Sequence, residues 1–268
     1  MNIIWRSTMK RPTIKEITRK AEEMPLEDAC SWLLELSEEF GDMVQKIADK
    51  YFRKLEAQKK ELERLHSMMA FENEARSRGY RLIGGIDEAG RGPLAGPVVA
   101  ACVILPEDAV ILGLNDSKKL TPAKRERLYD EIKEKAIAYG IGMADHTYID
   151  RVNILNATKK AMEDAIRSMK VRPDFLIIDA VHLDIDIQQE SFPKADYLSA
   201  SVAAASILAK VTRDRLMDEM DIKYPGYGFA KHKGYGTREH IEAIKRLGLC
   251  PIHRRSFTSD ILESKTAV

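Results

Sequence analysis

Near residue 80 the sequence changes period, and that change limits the possible folds more than any other feature. The first 75 residues hold a single glycine, Gly41, and no strand-like stretch. Thr13 follows Pro12 and has Glu16 three positions on, the pattern of a capping box that opens a helix. A second helix is expected from about Pro25 to just before Gly41, and a third from about Asp42 to Arg76. In the third, Val44, Ala48, Tyr51, Leu55, Leu62, Leu65 and Met69 keep alternating spacings of four and three, with Gln58 filling one slot. That is a coiled-coil-like seam, which packs on another helix in cis or in trans. A charged helix lying on the main domain is the equal alternative. Beyond residue 80, strands are expected at Arg81–Asp87, Val98–Leu105, Tyr139–Thr147 and Asp174–Ala180. Helices are expected at Pro122–Ala138, Asn153–Lys170, Ser199–Tyr224 and Thr237–Leu247, the last stopped by Gly248 and Pro251. Two strands in succession and then αβα units give a mixed sheet flanked by helices. The chain therefore reads as α/β: a helical extension over residues 1–75, then a domain over 76–268 that closes with a helical segment.

Composition narrows the function classes. With 32% charged residues the chain reads as soluble, yet the net charge is only +1. No global field draws in nucleic acid, so any such binding rests on local basic patches. The three cysteines, Cys30, Cys102 and Cys250, are far apart and lack any CxxC spacing. That argues against a zinc site or a disulfide framework and fits a reducing compartment. Met1 to Arg11 carry Arg6, Lys10 and Arg11 with no apolar stretch behind them, and no run is long enough to span a membrane. A cytoplasmic monomer is the expectation, with no membrane partner.

The chemistry concentrates where the first strand ends. Asp87 and Glu88 close an apolar run and lead into Gly90-Arg91-Gly92. Carboxylates at a buried strand end are costly unless compensated, and hard divalent cations are the usual compensation. Bare glycine backbone beside them suits close contact with a phosphate or sugar. The bland alternative is a solvated turn with two surface acids. Neighbours in a regular strand face opposite ways, so sharing one site requires a twist at the strand end. Asp179 ends the apolar strand Phe175-Leu176-Ile177-Ile178 and could meet Asp87 across neighbouring strands. Asp184, Asp186 and Asp196 follow, and chemistry alone does not choose among them. A P-loop is a poor reading, because Gly85-x4-Gly90 is followed by Arg91-Gly92 rather than by Lys and a hydroxyl residue.

The string Gly85-Ile86-Asp87-Glu88-Ala89-Gly90-Arg91-Gly92-Pro93-Leu94-Ala95-Gly96-Pro97 resembles the signature of the ribonuclease HII family, the type 2 ribonucleases H. Further similar strings are Asp116-Ser117-Lys118-Lys119-Leu120, Lys194-Ala195-Asp196 before Ser201-Val202-Ala203-Ala204-Ala205-Ser206, Lys210-Val211-Thr212-Arg213-Asp214, Lys231 to Thr237, and His253 to Phe257. The resemblance runs from about Phe71 to Phe257. It implies a ribonuclease H-like fold and an endonuclease that hydrolyses RNA in RNA–DNA hybrids. It also implies cleavage 5′ of a single ribonucleotide in duplex DNA, a step in ribonucleotide excision repair, leaving 3′-hydroxyl and 5′-phosphate ends. Asp87, Glu88, Asp179 and Asp196 match the family's acids, which hold two Mg²⁺ or Mn²⁺ ions. Asp196 is thereby chosen, and Asp184 and Asp186 become surface acids. Gly90, Arg91 and Gly92 match the segment whose backbone reads the ribose 2′-hydroxyl, the group that separates RNA from DNA. Lysine stands at the Arg91 position in the related type 3 enzymes. Tyr235 matches a tyrosine that stacks on the deoxyribose after the ribonucleotide. The bases of the other strings, Lys118 and Arg254 among them, match phosphate contacts. Two positions depart from the pattern: Ala180 after Asp179, and Ala195 before Asp196, where the family commonly has glycine.

Overall fold

The computed structural model describes residues 12–263. The reading of Met1–Arg11 falls outside them. The chain divides into two compact units, residues 1–64 and 65–268. In the first, Thr13 caps α1 (Ile14–Glu22) and makes the expected reciprocal bonds with Glu16. Next come α2 (Leu26–Phe40) and α3 (Asp42–Met68), separated at Gly41. Val44, Ala48 and Tyr51 of the expected seam are buried with Ile17, Ala21, Ala29, Cys30 and Leu33. The seam does not continue as one stripe. Leu62 is exposed, whereas Leu65, Met68 and Met69 belong to a core cluster of the second unit. The long third helix breaks at Met69, whose backbone leaves helical geometry before α4 (Ala70–Ser77).

The second unit is built on a five-stranded mixed sheet of order β3-β2-β1-β4-β5. Its strands are β1 (Ile83–Ala89), β2 (Val98–Ile104), β3 (Ala138–Ala144), β4 (Phe175–Asp179) and β5 (Gln188–Phe192). β1 lies at the centre, antiparallel to β2 and parallel to β4. Every residue of β2 is buried, because both faces of the sheet are covered. Ala101 and Val103 join a cluster with Leu128 and Ile132 of α5 (Pro122–Lys135) and Ala204, Ile207 and Leu208 of α9 (Ala200–Lys223). Val98, Ala100 and Cys102 face the other way, onto Ala157, Ala161 and Ala165 of α7 (Ile154–Arg167). The period of two thus sorts one strand between two helical layers.

Differences from the expected boundaries have local causes. The strand expected to reach Thr147 stops at Ala144, because Asp145 accepts from the Tyr148 N–H and caps α6 (His146–Val152). The helix expected to reach Ala138 stops at Lys135, because Ala138 pairs with Ile104 in the sheet. β5 was not legible: Gln188-Gln189-Glu190-Ser191-Phe192 is a partly exposed edge strand with no apolar alternation. The short helices α8 (Ala195–Leu198) and α10 (Phe229–His232) were also missed, as was α12 (Arg255–Glu263). The expected helix beginning near Thr237 is α11 (Arg238–Leu247), capped by the Thr237 hydroxyl. Among the described residues no helix is long and apolar enough to cross a membrane.

Candidate active site

β1 and β4 run parallel, with Ile86 and Ile178 as their last paired residues. Asp87 and Asp179 each come one position further on, so neighbouring strands deliver two carboxylates to one edge of the sheet. Glu88 remains within β1, opposite Ala100. Asp196 arrives on α8, which is tied to β4 because the Ala195 N–H donates to Asp179 Oδ1 at 3.0 Å.

The electrostatics show that these acids share one field. Burial and then the neighbouring Glu88 carboxylate push Asp87 well above the ordinary carboxylate range, with Asp179 adding to the shift. Burial raises Glu88 too; Arg91, at 3.3 Å, opposes the shift and Asp179 reinforces it. Asp196 is pushed up to about 6 by burial, then by Asp116 and Asp179. Burial works against the Lys118 ammonium, but Asp116, Asp87, Asp196 and Asp179 together raise its pKa. Lys118 therefore stands in the field of these acids.

Glu88 Oε2 is buried without a hydrogen-bond partner, a lone pair aimed at nothing in the protein. A concentration of acids with an orphaned carboxylate oxygen fits hard divalent cations. Among the described residues, no three His, Cys, Asp or Glu side chains are gathered closely enough to enclose an ion by themselves. An open set of this kind suits ions whose shells are completed by water and by substrate phosphates.

Beside the acids the chain leaves β1 through Gly90, at φ +94°, into exposed Arg91 and Gly92. Tyr235 is 42% exposed, and a Cβ on Gly92 would lie 3.9 Å from its ring. The fold thus brings the glycine loop and Tyr235 together from positions far apart in sequence.

Arg254 needs correcting. Its side chain is fully buried and donates to the carbonyls of Gly96 (2.9 Å), Arg91 (2.8 Å) and Gly90 (2.6 Å). It braces the loop and does not face a phosphate. Arg213 is likewise buried, and Lys210 is paired with Asp214 at 2.7 Å. The bases of those two strings were read as solvent-facing because sequence cannot distinguish a buried guanidinium from a surface one.

Several residues of the site were not singled out. Ser206 works to lower the Asp87 pKa and lies 2.9 Å from the Ser117 hydroxyl, and Asp116 bears on Asp196. The Asp116-Ser117-Lys118 string was noticed for its bases, and its acid and hydroxyl were the unused signal. Glu72 of α4 is fully buried and accepts from the Ser199 hydroxyl (2.6 Å) and the Ser201 N–H (2.9 Å), so it caps α9 close behind Asp196. Nothing in its local sequence marks it. His232 is buried between the Tyr227 carbonyl and the Gly234 N–H, and Asp184 is an exposed partner of Lys159.

Carboxylates at the end of central strands in such a mixed sheet, with a bare glycine loop beside them, define a ribonuclease H-like hydrolase. The family model described as Ribonuclease HII matches residues 84–260, and that of the Ribonuclease HII N-terminal domain matches residues 13–76. Over 255 residues the chain is 58% identical to ribonuclease HII of Acetivibrio thermocellus, covering 95% of this chain and all of that one. It is 50% identical to that of Clostridioides difficile over the same length, with the same coverage. Among solved structures it is similar to ribonuclease H2 from Pyrococcus horikoshii OT3, with 28% identity and a TM-score of 0.61 over 70% of this chain and all of that one. Bst-RNase HIII in complex with Mn²⁺ shares the fold at 20% identity, with a TM-score of 0.54 over 72% of this chain and 73% of that one. The chain belongs to the ribonuclease HII family, and as such is an endoribonuclease acting on the RNA of RNA–DNA hybrids.

Proposed function

We propose that this enzyme cuts on the 5′ side of a single ribonucleotide in duplex DNA, as well as within longer hybrids, leaving 3′-hydroxyl and 5′-phosphate ends. Asp87, Glu88, Asp179 and Asp196 would hold two divalent ions, Mg²⁺ or Mn²⁺. Asp87 and Asp179 would hold the shared region, and Glu88 and Asp196 would complete the two sites. When bound, such ions neutralise phosphate charge and make water a better nucleophile. The observation that carries this reading is the common field of the acids, with the orphaned Glu88 oxygen inside it.

The chain's own residues would do the positioning. The backbone of Gly90, Arg91 and Gly92 meets the ribose 2′-hydroxyl, and Tyr235 stacks on the following deoxyribose. Proximity of that loop to Tyr235 supports reading an RNA–DNA junction with one surface. Lys118, exposed beside the acids, receives a phosphate. The catalytic part is taken as residues 76–268 and the helical extension as 1–75, with the enzyme acting as a monomer in the cytoplasm in ribonucleotide excision repair.

The test is cleavage of end-labelled duplex DNA containing one ribonucleotide, with Mg²⁺ or Mn²⁺, by the wild type and Asp87→Asn. We expect a cut 5′ of the ribonucleotide that the variant loses. Cleavage of long hybrids alone would remove the junction reading, and an active variant would remove the acid assignment.

A further inference from the structure

Two fully buried arginines lie beneath the glycine loop, and the mechanism above does not use them. Arg213 donates from Nε to the Pro97 carbonyl (2.9 Å), from Nη1 to Lys233 (2.9 Å) and from Nη2 to Ala95 (3.1 Å). Arg254 donates in the same manner to Gly96, Arg91 and Gly90. Neither guanidinium has an ion pair with a carboxylate among the described residues. Burial lowers the pKa of both, and in Arg254 the neighbouring Arg213 is the second cause. Six carbonyls satisfy the forks but supply only partial charge, and the nearest carboxylates, Asp214 for Arg213 and Asp150 for Arg254, act through the field without a direct ion pair.

The carbonyls belong to two segments, residues 90–97 and Lys233, and a third segment around Ile252–Arg254 meets them here. Leu94 N–H donates to Gly234 and Arg254 N–H to Leu94, each at 2.8 Å, and Gly96 N–H donates to Ile252 at 2.9 Å. Lys233, bound by Arg213, lies two residues before Tyr235. The carbonyls of Gly90 and Arg91 are turned inward by Arg254, while neither the Arg91 nor the Gly92 N–H donates to an acceptor among the described residues. A peptide whose carbonyl is drawn inward presents the N–H of the next residue outward.

We propose that Arg213 and Arg254 are positioning residues for ribose recognition. They fix the loop carbonyls inward, aim the Arg91 and Gly92 N–H groups at the 2′-hydroxyl, and hold Tyr235 in register with them. This inference rests on the reading of Gly90–Gly92 as the ribose-contacting loop.

The experiment measures binding of two duplexes, one all-DNA and one with a single ribonucleotide, to the full chain in the Asp87→Asn background. That parent is expected to prefer the ribonucleotide duplex. Arg254→Lys and Arg213→Lys keep the charge but lose the fork, and each is expected to collapse the preference by about tenfold or more. The far-ultraviolet circular dichroism of folded variants stays native. A retained preference in a folded variant overturns the proposal. No preference in the parent instead overturns the reading of the loop. One measurement needs no lysine variant: the arginine Nε–H resonances of Arg213 and Arg254 in the parent. They are expected to shift with the ribonucleotide duplex and not with the all-DNA duplex. Resonances that respond equally to both would also overturn the proposal.

Discussion

Ala180 follows Asp179 with φ +52°, in the left-handed region where a Cβ is crowded. Glycine, expected there from the family resemblance, would relieve that crowding at some cost in chain entropy. Ala180→Gly should therefore stabilise the fold by about 0.5–1 kcal/mol, read from the denaturant midpoint at unchanged slope. His240 offers a second test. It is buried, donates to the Tyr235 carbonyl and meets His253 Nε2 at 3.1 Å. Burial lowers its pKa from 6.5 to about 4. The unfolded chain then takes up the proton first, so stability falls as pH drops through that window. At pH 5 the loss relative to pH 8 is about 2 kcal/mol from this group. Denaturation at the two pH values measures it, and His240→Asn, which cannot titrate there, should flatten the dependence. Strand position nominated Asp87, Glu88 and Asp179 as candidates in the sequence, whereas Asp196 was chosen over Asp184 and Asp186 only by the family resemblance. The burial of Arg254 was not readable, because a guanidinium bonded to three inward carbonyls has the same local sequence as an exposed one.

At the scale of elements, the close approach of β1 to α9 aligns the site. A Cβ on Gly85 would lie 2.2 Å from the Ser201 carbonyl carbon and 2.3 Å from the Val202 nitrogen. Backbone cannot yield as a side chain can, so Gly85→Ala must push the strand and helix apart. We expect a loss of about 2–3 kcal/mol in stability and reduced cleavage, since Asp87 lies on that strand and Asp196 just before that helix. Denaturation and cleavage rates on one preparation check both. Helices with strong caps and strands with continuous apolar runs were legible: Thr13, Thr237 and the Phe175–Asp179 strand mark them. β5 and α8 were not, because the first draws its stability from pairing with β4, and the second is one short turn held by Asp179.

For the whole molecule, the change of period near residue 80 marked two parts, and the packing sets a division between residues 64 and 65. Leu65, Met68 and Met69 are buried with core residues of the second unit. A chain beginning at Leu65 should fold and cleave, with weaker substrate binding because it lacks the charged helices. A chain beginning at Phe71 should lose about 2–5 kcal/mol or more of stability, having lost three buried side chains. Thermal unfolding and the KM for the ribonucleotide duplex distinguish these outcomes; equal stability of the two chains would contradict the packing argument, and an unchanged KM the role of the extension.

By itself the sequence determined the α/β class, the central strand that carries Asp87, and the glycine loop that follows it. These depend on period, capping and backbone freedom, which act over a few neighbouring residues. Tertiary structure decided which acids share a field, which arginines lie inside, and that Tyr235 stands beside Gly92. Those outcomes depend on contacts between residues far apart in the chain, where burial and the summed field, rather than local pattern, set the chemistry of each group.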